Sequence, residues 1–229
     1  MYPPMHRHDL LRVAPDVWED IIQANPVLSK LPLISAWASQ GWPVIVRRWM
    51  STETPTGIPV AVPLPPAQGK QRISMLLASD RGLIPCAPIT LSTASSTLPL
   101  PWRTAVDELL TFADRNGHTN GHAPCVFGSA LWQYLTQLPY MSATSDLDLL
   151  WPISNHDSAA QLIDALRRIE AHAPMRLDGE CVLPGGGAVN WREWALALHS
   201  PHSTVLVKTM DKVEMIATRN LFDPAEVSL

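Results

Sequence analysis

Asp146 and Asp148 stand two residues apart in SDLDLLW, inside an apolar run. In a β-strand that spacing points both carboxylates to one face, about 7 Å apart along the backbone, and turns Leu147 and Leu149 toward a core. Two carboxylates so placed repel each other unless positive charge lies between them. A hard divalent cation with oxygen ligands at about 2.1 Å supplies that charge, which makes magnesium the expected ion and manganese its substitute. Upstream, Gly128-Ser129 falls between a strand-like CVFG and a helix-like SALWQYLTQL. A glycine there lets backbone approach a ligand closely, and the N–H groups of a first helical turn attract phosphate, although Ser129 would equally suit a helix N-cap. Read alone, each motif has an ordinary structural explanation. Together they provide a phosphate cradle and a metal platform, which are the parts that phosphoryl chemistry requires.

A third carboxylate normally completes such a site, as a metal ligand or as the acceptor of the attacking hydroxyl's proton. RLDGECVL offers Asp178 and, on the same face, Glu180. Asp178 is the expected member, and Glu180 is either the alternative or the partner of an arginine. Lys208, late in VLVKT, is a candidate for a phosphate contact. Arg47, Arg48, Lys70 and Arg72 form either a cationic cluster for an anionic ligand or carrier protein, or simply solvated charge. Strand alternation lets only one of Arg47 and Arg48 serve a given surface. His6-Arg7-His8 has no further metal ligand near it, and Gly185-Gly186-Gly187 lacks the Lys-Ser/Thr ending of a phosphate-binding loop and reads as a hairpin turn.

The elements that must position these residues change type along the chain. The 22 prolines cluster in the first hundred residues, which predicts short elements there. Helices are expected at 16–24 and 32–39, and strands at 43–49, 58–64 and 72–78. The uncharged, Ser/Thr/Pro-rich stretch 86–100 reads as a connection between domains 1–85 and 101–229. Beyond it, Val106, Leu109, Leu110 and Ala113 share a helix face that Gly117 terminates. Strand-like and helix-like segments then alternate: CVFG, SALWQYLTQL, DLDLLWPI, DSAAQLIDALRRIEAHA, MRLDGECVL, AVNW, STVLVKT and VEMI. The expected class is α+β, with strands and helices in layers.

The bulk numbers narrow the function. With 229 residues, 46% of them apolar, the chain can bury a substantial core. A net charge of -4 gives no overall cationic field for a polyphosphate backbone, so no nucleic-acid partner is expected. Cys86, Cys125 and Cys181 form no CxxC pair, which suits a reducing cytoplasm. The N-terminal MYPPMHRHDLLRV has no apolar h-region, and nowhere do about eighteen apolar residues run together, so neither export nor membrane insertion is expected.

FGSALWQYL followed by SDLDLLW resembles the nucleotidyltransferase superfamily, whose signature is Gly-Ser or Gly-Gly and then Asp-x-Asp. More specifically, HDLLRV, GWPVIVRR, IPVAVPLP, GSALWQYLT, SDLDLLWP and LDGECVLPGGGAVNWREW make the chain similar, nearly end to end, to the holo-acyl-carrier-protein synthases of malonate decarboxylase. That resemblance implies a small N-terminal α+β domain followed by a nucleotidyltransferase-like α/β domain with a mixed sheet. It implies transfer of a phosphoribosyl-dephospho-CoA group from triphosphoribosyl-dephospho-CoA to a serine of the decarboxylase's acyl carrier subunit, with release of pyrophosphate. Asp146, Asp148 and Asp178 would hold Mg2+, while Gly128, Ser129 and Lys208 would hold phosphates. Two other readings of the residues stay open: a nucleoside monophosphate transferase using ATP, and a catalytically silent binding module.

Overall fold

Pro15 and Pro32 each open a helix, where a missing N–H costs nothing: α1 (Pro15–Gln23) and α2 (Pro32–Ser35). The structure, a computed structural model, describes residues 5–54, 56–119, 122–198, 200 and 202–223. The chain divides into two compact units, Met1–Pro88 and Ile89–Leu229. In the first, five strands form an antiparallel sheet: β1 (Leu10–Val13), β2 (Val44–Val46), β3 (Ile58–Pro63), β4 (Arg72–Leu77) and β5 (Leu83–Cys86), in the order β4-β3-β2-β1-β5. Trp18 and Trp37 are buried with their indole N–H groups satisfied by Ile34 O at 2.8 Å and Pro43 O at 2.9 Å, as buried tryptophan requires.

Arg47 is a strut of this unit rather than a ligand cation. Its Nε donates to Val60 O (3.2 Å), Nη1 to Arg48 O (3.0 Å) and Glu53 Oε2 (2.8 Å), and Nη2 to Glu53 Oε1 (2.6 Å) and Met75 O (3.3 Å). Every N–H of the guanidinium is thereby used, and none remains for an anionic ligand. Lys70 and Arg72 are exposed beside the β3–β4 turn.

The second unit carries α3 (Leu91–Ala94), α4 (Arg103–Arg115), β6 (Cys125–Val126), α5 (Gly128–Thr136), β7 (Leu147–Pro152), α6 (His156–Glu170), β8 (Leu177–Val182), β9 (Ala188–Asn190), α7 (Trp191–Ala197), β10 (Thr204–Lys208) and β11 (Val213–Ala217). Within 86–100, the stretch expected to connect domains, Leu91 and Ala94 of α3 are fully buried. The six strands form one mixed sheet in the order β11-β10-β9-β8-β7-β6. Only β7 and β8 run parallel, joined by the crossover helix α6, while their neighbours pair antiparallel. The class is α+β, as expected.

Alternation divides the sheet into two chemically distinct faces. Leu147, Leu149 and Trp151 of β7 and Leu177, Gly179 and Cys181 of β8 are buried. Trp151 meets Phe112 of α4 and His118 edge-on, with ring centroids 6.1 and 5.6 Å away, so this face looks into the helical core. The opposite face carries Asp148, Leu150, Asp178, Asn190 and Lys208, all half-buried. Gly179 separates the faces on β8: at φ +140°, any Cβ on it would run into the carbonyl oxygen of Leu149 on β7. Gly186 turns the β8–β9 hairpin, donating to Leu183 O at 2.9 Å. Among the described residues no helix is long and apolar enough to cross a membrane.

Candidate active site

The polar face of β7 and β8 is assembled by register. Parallel pairing sets Asp148 directly beside Asp178 and Leu150 beside Glu180, with neighbouring strands about 4.8 Å apart. Asp146 lies immediately before β7 and keeps the same facing by alternation, half-buried like Asp148. Asp148 and Asp178 thus occupy paired positions of β7 and β8, and Asp146 stands just ahead of β7.

The start of α5 meets them. The Phe127 N–H donates to Asp148 O at 3.1 Å, which ends β6 against β7 and launches the helix at that point. Gly128 follows at φ +60°, and a Cβ on it would overlap the Asp148 carboxylate, so glycine is required both for the backbone angle and for the close approach. Ser129 is not the N-cap residue of the helix: that position is Phe127, which makes no side-chain cap. The positive end of a nine-residue helix therefore lies beside Asp148.

Asp178 and Glu180 share a face but not an environment. Asp178 Oδ1 accepts from its neighbour Gly179 N–H at 2.8 Å and from Asn190 Nδ2 at 3.0 Å, and its Oδ2 lies 3.8 Å from Arg176 Nη2. Glu180 is buried, and its Oε1 takes a hydrogen bond from Lys208 Nζ at 3.1 Å. Lys208, expected at a phosphate, is thus bound to Glu180; a carboxylate that far from water needs a cation beside it. The structure pairs Glu180 with this lysine, not with the arginine expected as its alternative partner.

Two residues of this face escaped the sequence reading. Arg176 sits two residues before Asp178, so alternation alone would place its exposed guanidinium in the carboxylate row, across from Asp146. Asn190 comes to Asp178 through the β8–β9 hairpin, twelve residues away in sequence, and only the register reveals it.

An all-carboxylate oxygen donor set suits a hard divalent cation. Gly128, kept free of a Cβ by the Asp148 carboxylate, fits the same ligand-facing design. Among the described residues no three Asp, Glu, His or Cys side chains already converge on a single point. Asp146 and Asp148 would be the primary oxygen donors and Asp178 the third.

Comparison with known proteins separates the same two halves. Residues 6–81 match the family model described as phosphoribosyl-dephospho-CoA transferase MdcG N-terminal domain, and residues 90–219 match phosphoribosyl-dephospho-CoA transferase MdcG C-terminal domain. A phosphoribosyl-dephospho-CoA transferase from Bradyrhizobium diazoefficiens is 35% identical over 213 residues, covering 93% of this chain and 90% of the relative. Relatives of the same name from Xanthomonas euvesicatoria pv. vesicatoria and Xanthomonas axonopodis pv. citri are each 38% identical over 192 residues, 83% of this chain and 86% of theirs. No solved structure matches the chain. Because both family models and near full-length relatives agree, the chain belongs to the phosphoribosyl-dephospho-CoA transferase family and is a transferase.

Proposed function

We propose that this transferase moves the phosphoribosyl-dephospho-CoA group from triphosphoribosyl-dephospho-CoA to a serine of the acyl carrier subunit of malonate decarboxylase, releasing pyrophosphate. The observation that carries this reading is the position of Asp148, which touches the Gly128 start of α5 on one side and is registered with Asp178 on the other. A phosphate binder and a carboxylate platform therefore meet at one place. In the displacement, the serine oxygen bonds to the phosphorus nearest the ribose and the bond from that phosphorus to pyrophosphate breaks. The first-turn N–H groups of α5 and the Ser129 hydroxyl hold the departing phosphates. Arg176, beside Asp178, adds the positive charge that such a leaving group needs. Asp146, Asp148 and Asp178 would hold Mg2+, which when bound neutralises phosphoryl oxygens and polarises the attacked phosphorus. In this reading Asp178 takes the hydroxyl proton. The three cysteines are unpaired, which supports a reducing, cytoplasmic setting.

The test is direct. The chain is incubated with Mg2+, triphosphoribosyl-dephospho-CoA and apo carrier subunit, and the carrier is weighed by intact mass spectrometry. A gain of one phosphoribosyl-dephospho-CoA group, lost when the carrier serine is changed to alanine, is the expected result. A gain of AMP when ATP is the donor, with none from triphosphoribosyl-dephospho-CoA, would replace this reading by nucleoside monophosphate transfer.

A further inference from the structure

Asn190 ends β9 and starts α7, and both ends of its amide are in use. Its Oδ1 accepts from the Arg192 N–H at 2.9 Å, which caps the helix, and its Nδ2 donates to Asp178 Oδ1 at 3.0 Å. Those partners fix the orientation of the amide, since a backbone N–H can only donate and an ionised carboxylate can only accept. The demand is specific to asparagine. Aspartate would cap equally well but would set a second carboxylate against Asp178, and serine would cap through a shorter side chain.

The backbone beneath Asp178 is held from α6 and α7. Glu170, the last residue of α6, accepts from the Leu177 N–H at 2.9 Å and is ion-paired with Arg192, whose Nη2 also donates to Leu177 O at 2.8 Å. Glu170 and Arg192 therefore fix where β8 starts, and Asn190 fixes where the first polar side chain on it points. We infer that Asn190 is a positioning residue for Asp178: it holds the carboxylate by Oδ1 and leaves Oδ2, whose other neighbour is the exposed Arg176 guanidinium 3.8 Å away, as the oxygen offered to a cation. The inference rests on the reading of Asp178 as the third carboxylate of the site. Hydrogen-bond partners of metal ligands contribute about 10–100-fold to affinity, because a ligand free to rotate must be ordered when the ion binds.

The experiment measures Mn2+ binding to the full chain by electron paramagnetic resonance of the free ion, with no donor or carrier present, alongside thermal stability. Asn190→Ser keeps a capping oxygen and Asn190→Ala does not. Both should weaken Mn2+ about tenfold, while only Asn190→Ala lowers the Tm. Asp178→Ala should weaken Mn2+ as well, and adding Asn190→Ser to it should change nothing more. If Asp178→Ala weakens binding and Asn190→Ser does not, Asn190 is a helix cap alone and the positioning role is overturned. If Asp178→Ala binds Mn2+ like the wild type, the assignment of Asp178 fails and the inference fails with it. A wild-type chain that takes up no Mn2+ overturns the metal platform itself.

Discussion

At the residue scale, the proposed mechanism gives Asp146, Asp148 and Gly128 tasks that no substitute would share. Asp146→Ala or Asp148→Ala removes an oxygen donor while leaving the buried row of Leu147, Leu149 and Trp151 intact. The expected result is a kcat more than tenfold below wild type, which is about 1.4 kcal/mol of barrier, with little change in Tm; activity within that limit would remove these residues from the mechanism. Gly128→Ala tests the close approach from the other side. Its Cβ would displace the Asp148 carboxylate, so turnover should fall as far as in Asp148→Ala, whereas the left-handed backbone angle alone costs about 1 kcal/mol of stability. Lys208→Ala should behave in the opposite way. It leaves the buried Glu180 without its lysine and should cost about 1–3 kcal/mol in denaturant unfolding. If instead it raises the KM for the donor without loss of stability, Lys208 reaches a phosphate after all.

At the scale of elements, the polar face depends on β7 and β8 lying close, and Gly179 permits that closeness. Gly179→Ala would drive a Cβ into the Leu149 carbonyl, backbone against backbone, where nothing flexible can yield. A loss of about 3 kcal/mol or more is expected, with activity lost through the fold rather than through the chemistry; unaltered chemical denaturation would mean that the strands are farther apart. What was legible beforehand follows the same logic. The alternation of SDLDLLW and RLDGECVL announced both strands and the face of every carboxylate, because apolar and polar residues alternate cleanly there. β5 escaped because Pro85 reads as a turn, although a sheet edge tolerates proline, and β5 is an edge strand. β1 is only four residues long and buried at three of them, so it shows no alternation to detect. α7 is a seven-residue helix opened by tryptophan and held by tertiary contacts and the Asn190 cap rather than by propensity. The Asn190–Asp178 bond could not be read at all, since it exists only once the hairpin register is set.

For the whole molecule, pH acts on the two units through different groups. Glu53 is pulled from 4.5 down to about 2, first by its hydrogen bonds from Arg47 and then by the Met50 N–H. Its folded value is depressed, so its contribution is complete above about pH 4.5 and is lost as pH falls through about 2. His118, packed between Phe112 and Trp151, is pushed below 6.5 chiefly by burial. A histidine kept neutral in the fold favours the folded state above 6.5 and gives up that stability as pH drops below it, because the unfolded chain takes the proton first. Tm measured against pH should therefore fall below about 6.5 less steeply in His118→Phe than in wild type, while Glu53→Gln should flatten only the acid end. Parallel curves for His118→Phe and wild type would assign the acid loss to other groups. Cys181 gives the second unit a clock of its own. It lies on the buried face of β8, three residues from Asp178, and burial first, then the charge of Glu180, raises its thiol to about 12. Such a sulfur is inert while the strand is paired and becomes a reactive thiolate only when β8 opens to water. Cys86 and Cys125 are half-buried and should be modified ahead of it by a thiol reagent. The slow phase of that labelling then times the opening of the strand that carries Asp178, and any ligand that seals the site should slow it to a rate proportional to the fraction of sites left empty.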